Sequence, residues 1–469
     1  LTRIHQNSIF YHIYPLGALG ASHRNDFSSQ PVPRVREMLN WLDHIQTLGA
    51  NAIYLGPVFE SSSHGYDTAN YYEIDRRLGT REDLRVFANE LKARGMRLVL
   101  DGVFNHVGRD FWAFRDVLEN RERSAWRDWF AGMRFDQRSP MGDPFSYEAW
   151  NGHFELVKLN LSNPAVKEHL FGAIAMWKEA FDIDGIRLDA ADSLSFDFMR
   201  ELRAYCNQLD SGLWLMGEVI HGDYRRWANP ESLHATTNYE LYKSMWSALN
   251  DGNFFELAHS LKRQFGPGGL YQELKTQYNF VDNHDVTRII NRLRLREHLP
   301  LIQLLMFTLP GLPSVYYGSE FGFEGVKQSD DWNLRPVFDL QALEAHYGEW
   351  ANNLAIALKP SDENRDLRAL LHLFSMLRLA NVALTRGDYR ELMVKPEQFA
   401  FTREHEGQIA IVAVNSAADS VDVELTLPRH KGWRFVDLLD DSQSFIVDEQ
   451  GKLKLNIPAY WGKILTNQI

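Results

Sequence analysis

Short runs of alternating or continuous apolar residues recur along the chain, separated by longer stretches with three- and four-residue periodicity. Residues 8–14 (SIFYHIY) read as a strand closed by Pro15 and Gly17, and 51–55 (NAIYL) as a second, closed by Gly56 and Pro57. Between them, RVREMLNWLDHIQTLG carries its apolar residues at helical spacing. A helix through REDLRVFANELKARG then leads to a third strand at 96–101. Strand and helix alternating at this spacing predict βα units and a parallel sheet.

The alternation stops after His106. Residues 111–154 are rich in Trp, Arg and Asp, lack strand periodicity and read as an insertion, the kind of long excursion that tends to be functional. It resumes with a helix over 164–180, strands at 185–189, 213–217 and, more weakly, 236–239, and a helix over 196–209. Strands at 277–282 and 314–317, the latter preceded by the helix LPLIQLLMFTL, complete eight. Eight is the count for a closed (β/α)8 TIM barrel. From Gly387 onward the runs become short and alternating, separated by Gly, Asp and Pro, which predicts an antiparallel β-sandwich. The expected division is a barrel over 1–106 and 155–386, an insertion over 107–154 and a C-terminal β domain over 387–469. No internal repeat and no low-complexity tract interrupts it.

Composition narrows the function classes. With 45% hydrophobic and 24% charged residues, the 469-residue chain is ordinary for a globular enzyme. A formal charge of -12, without any Lys/Arg block, argues against nucleic acid and anionic membranes as partners. No apolar run reaches transmembrane length. Cys206 is the single cysteine, which rules out an internal disulfide framework and favours a reducing, cytoplasmic setting. The chain begins at Leu1 rather than Met, so secretion with a removed signal peptide stays open.

The strand ends carry the chemistry. The third strand ends DGVFNH (Asp101, Asn105, His106), the fourth RLDAAD (Arg187, Asp189), the fifth GEV (Glu218) and the seventh VDNHD (His284, Asp285). Each has a plain structural reading: a loop cap, a satisfied core histidine, a helix-capping carboxylate. Together they converge on the carboxyl-terminal face, where such barrels place their active sites. Arg187 can hold Asp189 ionised, as a nucleophile must be.

In order and spacing, DGVFNH, GIRLDAAD, GEV and VDNHD resemble the four motif regions of the α-amylase superfamily, glycoside hydrolase family 13. HGYDTANYYEID, KLNLSNP and PGLPSVYYGSEFG add to the resemblance, which covers essentially the whole chain. It implies Asp189 as nucleophile, Glu218 as general acid/base and Asp285 as the carboxylate that stabilises the transition state. It further implies sugar contacts from Tyr66, Asp67, Asp101, His106, Arg187 and His284. Trp332 and Arg335, in SDDWNLRP, are further sugar-binding candidates. Two carboxylates flanking a glycosidic bond are what retaining hydrolysis requires, and like-charge repulsion would raise the Glu218 pKa.

KLNLSNP, and Asp192–Ser193 where many α-amylases carry Lys–His, bring the chain closest to neopullulanases and cyclomaltodextrinases. Those relatives usually carry an additional N-terminal β domain for which this chain leaves no room, and Asn70 stands where Asp is common. The expected reaction is retaining cleavage of α-1,4-glucosidic bonds in maltodextrins or related α-glucans. Transglycosylation and a disaccharide- or isomaltose-type α-glucosidase are the alternatives, and a non-catalytic amylase-like binding protein a remote one. A metal-dependent hydrolase fails for lack of converging histidines. No cofactor or metal is expected. Asn105 matches a position that binds calcium in many amylases, but the insertion lacks a cluster of Asp ligands.

Overall fold

The computed structural model describes residues 2–346 and 367–467. Eight short parallel strands form the centre: β1 (Phe10–Ile13), β2 (Ala52–Leu55), β3 (Arg97–Gly102), β4 (Gly185–Leu188), β5 (Trp214–Gly217), β6 (Ala235–Thr236), β7 (Tyr278–Phe280) and β8 (Leu312–Tyr316). Their spatial order is β6-β5-β4-β3-β2-β1-β8-β7, and a parallel bridge between Thr237 and Tyr278 brings β6 to β7 and closes the ring. All eight predicted strands are present, mostly shortened at one or both ends. Inside the ring Phe10, Tyr54, Val99, Trp214, Met216, Tyr278, Phe280 and Leu312 pack as one cluster, the filled interior that a barrel of this size has.

The helices cover the outside. Arg81–Ala93 opens with a capping box in which Thr80 and Asp83 satisfy each other's backbone donors, and Asn163 caps Pro164–Phe181. The helix predicted from RVREMLNWLDHIQTLG divides in two: Arg34–Trp41 is 3-10 and only Leu42–Thr47 is α-helical. Both halves still bury the apolar face that the periodicity marked, including Met38, Trp41, Leu42 and Ile45. Leu299–Thr308 is buried at all ten positions, as a helix apolar on every side must be, and packs against other helices and strand Trp461–Thr466.

The insertion is more ordered than its pattern suggested. His106–Gly108 pairs with His153–Lys158, which also pairs with Ala149–Trp150, so the expected limits of 107 and 154 fall inside strands. A hairpin of Phe59–Ser61 and Thr68–Ile74, unforeseen from the sequence, lies between β2 and β3. Beyond the barrel, a six-stranded antiparallel sheet runs in the spatial order Asp388–Val394, Gln398–His405, Gln408–Asn415, Trp461–Thr466, Arg434–Asp437, Asp440–Ile446. A second pair, Val421–Thr426 with Lys452–Ile457, packs over it through Ile411, Val423, Leu425, Phe435 and Leu455. Among the described residues no helix is long and apolar enough to cross a membrane.

Candidate active site

The carboxyl ends of β3, β4 and β5 meet at Arg187. Its Nη1 donates to Asp101 Oδ1 at 2.9 Å and to Asp189 Oδ1 at 2.9 Å, and its Nη2 lies 3.0 Å from Glu218 Oε2. One guanidinium, 3% exposed, thus serves three carboxylates from three strands. Tyr54, on β2, and Tyr66 both donate their hydroxyl to Asp101 Oδ2.

The turn after β4 sets this geometry. Ala190 is in the left-handed region at φ 45°, which costs a residue with a Cβ about 1–2 kcal/mol. In that conformation its N–H reaches Glu218 Oε2 at 3.1 Å, while Ala191 N–H reaches Glu218 O at 3.1 Å. Gly217 makes the approach possible: a Cβ there would lie 2.5 Å from Leu233 Cδ1 and 2.8 Å from Ala191 Cβ. The nucleophile candidate and the acid candidate are therefore tied to each other through main chain as well as through Arg187.

Asp285 faces the cluster from β7. Arg335 Nη2 holds its Oδ1 at 2.9 Å, and His284 Nε2 lies 3.0 Å from its Oδ2. The Arg335 Nε donates to His284 O at 3.0 Å, so the loop after β8 grips the loop after β7. The His284 ring lies nearly parallel to Tyr66 and Tyr14, at centroid distances of 5.5 and 5.8 Å. His106, with Nε2 3.7 Å from Asp189 Oδ2, completes the floor of the site.

Two of the proposed sugar-contacting residues lie off this centre. Asp67 is buried, and its carboxylate accepts from Ser63 Oγ and Gly65 N–H, holding its own loop together. Trp332 is half-buried and stacks on His23 with centroids 3.9 Å apart and planes 5° from parallel. Asn105 is buried, its Nδ2 directed at His106 Nδ1 and its Oδ1 without a partner among the described residues. Among the described residues no group of three or more His, Cys, Asp or Glu side chains could hold a metal ion.

Burial dominates the electrostatics. Loss of solvent pushes the carboxyls of Asp189, Glu218 and Asp101 up against the pull of Arg187, and neighbouring carboxylates push Asp189 and Glu218 the same way. Repulsion between acids, the expected cause for Glu218, thus comes second to desolvation. Arg187 is held charged by Asp101 and Glu218 despite its burial. Asp101, Asp189 and Glu218 share one cation, so their titration belongs to the cluster and not to any one of them. Burial brings His106 down to about 3 and His284 well below its ordinary range, so both are neutral.

Strand-end motifs do not reveal Tyr54, Tyr14, Tyr239 or Ala190. The Tyr239 hydroxyl lies 3.4 Å from Glu218 Oε1 and accepts from Asn283 Nδ2. The available signal was weak: Tyr54 is a polar-tipped residue inside the apolar run AIYL.

A family model described as the catalytic domain of α-amylase matches residues 36–366, and one described as the C-terminal domain of maltogenic amylase matches 389–464. The chain belongs to the α-amylase family. A cyclomaltodextrinase from a Bacillus species is 30% identical over 437 residues, covering 88% of this chain and 73% of that protein. Neopullulanase 2 of Thermoactinomyces vulgaris is 30% identical over 444 residues, covering 92% and 70%. The solved structure of a cyclic α-maltosyl-(1→6)-maltose hydrolase from Arthrobacter globiformis superposes with a TM-score of 0.78 at 26% identity, covering 98% of this chain and 99% of that one. The protein is a glycoside hydrolase of the α-amylase family, with the barrel and C-terminal sheet domain of its relatives.

Proposed function

We propose that the enzyme cleaves α-1,4-glucosidic bonds in maltodextrins or related α-glucans with retention of configuration, through a covalent glycosyl-enzyme on Asp189. The observation that carries this reading is the sharing of Arg187 between Asp189 and Glu218, with Asp285 opposite. In this mechanism Glu218 carries the proton and donates it to the departing oxygen. Asp189 attacks C1, and Asp285 balances the positive charge that develops on the sugar. Glu218, then ionised, takes a proton from the incoming water and the second displacement restores the α configuration. Tyr66 supplies a flat face for the sugar ring, and neutral His106 and His284 supply hydrogen bonds to its hydroxyls.

The test is a product profile on maltooligosaccharides, cyclodextrins, pullulan, isomaltose and sucrose, followed by Glu218→Gln. Maltooligosaccharides should yield α-configured products. The Glu218→Gln enzyme should lose about 10²–10⁴-fold on them but far less in the first step with an activated aryl glycoside, whose leaving group needs no proton. An adduct on Asp189 should then accumulate and be seen by mass spectrometry. β-Configured products, or an adduct on another residue, would refute the assignment. Turnover confined to isomaltose or sucrose would redirect the substrate class.

A further inference from the structure

His12 is a polar residue in the middle of β1, 2% exposed, directly beneath the site. Its ring stacks on Tyr54 at 4.2 Å and meets the His284 ring edge-to-face at 5.1 Å, with planes 87° apart. Among the described residues two buried ring nitrogens here lack a partner, His12 Nε2 and His284 Nδ1. Centroids 5.1 Å apart put the two rings in contact, close enough for one water to bridge these nitrogens or, once the rings turn edge to edge, for a direct bond.

The surroundings of His284 dictate where its proton sits. Tyr66 donates its hydroxyl hydrogen to Asp101 at 3.0 Å, so the oxygen it turns to His284 Nε2 is an acceptor. Asp285 Oδ2, 3.0 Å from the same Nε2, is an acceptor too. A neutral His284 therefore carries its one hydrogen on Nε2, and Nδ1 is left as a buried lone pair that needs a donor. The Tyr14 and Tyr66 rings hold the ring plane but cannot choose the tautomer.

We propose that His12 is a positioning residue for the reaction: its Nε2–H, directly or through one water, donates to His284 Nδ1 and locks His284 in the Nε2–H tautomer. This rests on the proposed role of His284 as a donor to the reactive sugar, and it deepens that role by naming what keeps the donor in place. With the tautomer reversed, Nε2 would present a lone pair to the Tyr66 oxygen, to Asp285 and to the sugar hydroxyl. Burial keeps His12 itself neutral, pulling it well below its ordinary range, so it offers one N–H rather than two.

The first measurement needs no substrate. In 15N-histidine-labelled enzyme the nitrogen shifts and long-range couplings of His284 should report a hydrogen on Nε2 and a bare Nδ1, and a hydrogen on Nδ1 overturns the proposal. The second compares His12→Leu, which removes the donor, with His12→Gln, which keeps one. His12→Leu should lose about 10–100-fold in kcat with KM little changed and show mixed His284 tautomers. His12→Gln should recover kcat to within a few-fold and restore the single tautomer. Equal losses in both variants with the His284 tautomer unchanged would show that His12 acts by packing alone, and overturn the inference. Should the substrate assignment fail instead, the nitrogen spectra still decide this one.

Discussion

Arg187 and the pair Arg378 and Arg403 are all deeply buried, yet they do opposite things. Arg187 sits on the rim of the barrel among three carboxylates. Arg378 and Arg403 lie at the other end, where the barrel meets the C-terminal sheet. Arg378 donates to Phe307 O at 2.7 Å, Leu309 O at 3.4 Å and Gly311 O, and Arg403 to Thr308 O at 2.7 Å and Gly387 O at 3.0 Å. Neither forms an ion pair among the described residues. Together they satisfy the carbonyls left open where the helix Leu299–Thr308 ends. Burial works against both cations, bringing Arg378 down to about 9. The same side chain at the same depth becomes part of a titrating cluster when its partners are carboxyls, and a fixed clamp when they are carbonyls.

The largest effect that sharpens this comparison is Asp189→Asn, which should lower kcat on maltooligosaccharides by about 10⁴-fold or more, measured against an unchanged circular dichroism spectrum. Its effect on stability has the opposite sign. The folded carboxyls of the cluster titrate above their unfolded values near 4, so as pH rises from about 4 the unfolded chain releases its protons first. The contribution of the cluster to stability is complete below pH about 4 and is lost as pH climbs through the raised folded pKa values. Removing one carboxyl should therefore raise Tm at pH 7, and the gain should vanish toward pH 4 in thermal scans. A gain that is flat with pH would refute this account of the cluster.

Arg187→Met comes next. It should lower kcat by roughly 10²–10³-fold by releasing both Asp189 and Glu218 from position. It should also lower Tm at pH 7, because the remaining acids lose their cation, and recover part of that loss at pH 5, where they can take up protons. Arg403→Met should do neither. Its expected cost is about 1–3 kcal/mol for each orphaned carbonyl, seen in denaturant melts as a loss that does not change between pH 5 and 7. Its kcat per folded molecule should equal that of the parent. A pH-dependent loss in Arg403→Met would place an unrecognised acid at the seam.

The fold was largely legible because its signals are local. Strand runs such as FYHIY, AIYL and LWLMG are short, apolar and closed by Gly or Pro, and the helices between them carry caps and periodic faces. Where local signals were weak, reading failed in a consistent way. The hairpin strand Thr68–Ile74 is buried or half-buried at six of its seven positions, without clean alternation, because both its faces are partly covered. Asp440–Ile446 is mostly exposed, and its apolar residues, Phe445 and Ile446, stand side by side at its end, so no alternation marks it as a strand. Ala149–Trp150 is only two residues long, which leaves no room for a period.

The sequence alone determined which chemical groups stand at the carboxyl ends of the strands. A βα chain delivers Asp101, Arg187, Asp189, Glu218, His284 and Asp285 to one rim whatever the details of packing. Only the tertiary structure decided how they pair. Arg187 reaches Asp101 across 86 positions of the chain, and Arg335 reaches Asp285 across 50, distances in sequence that the pairing of β3 with β4 and of β7 with β8 bridges. It also decided that Ala190 takes a left-handed turn to present its N–H to Glu218, and that His12 lies edge-on beneath His284. Periodicity and caps depend on neighbours a few residues away, whereas a pKa or a tautomer depends on every group within a few ångströms, whichever strand supplies it.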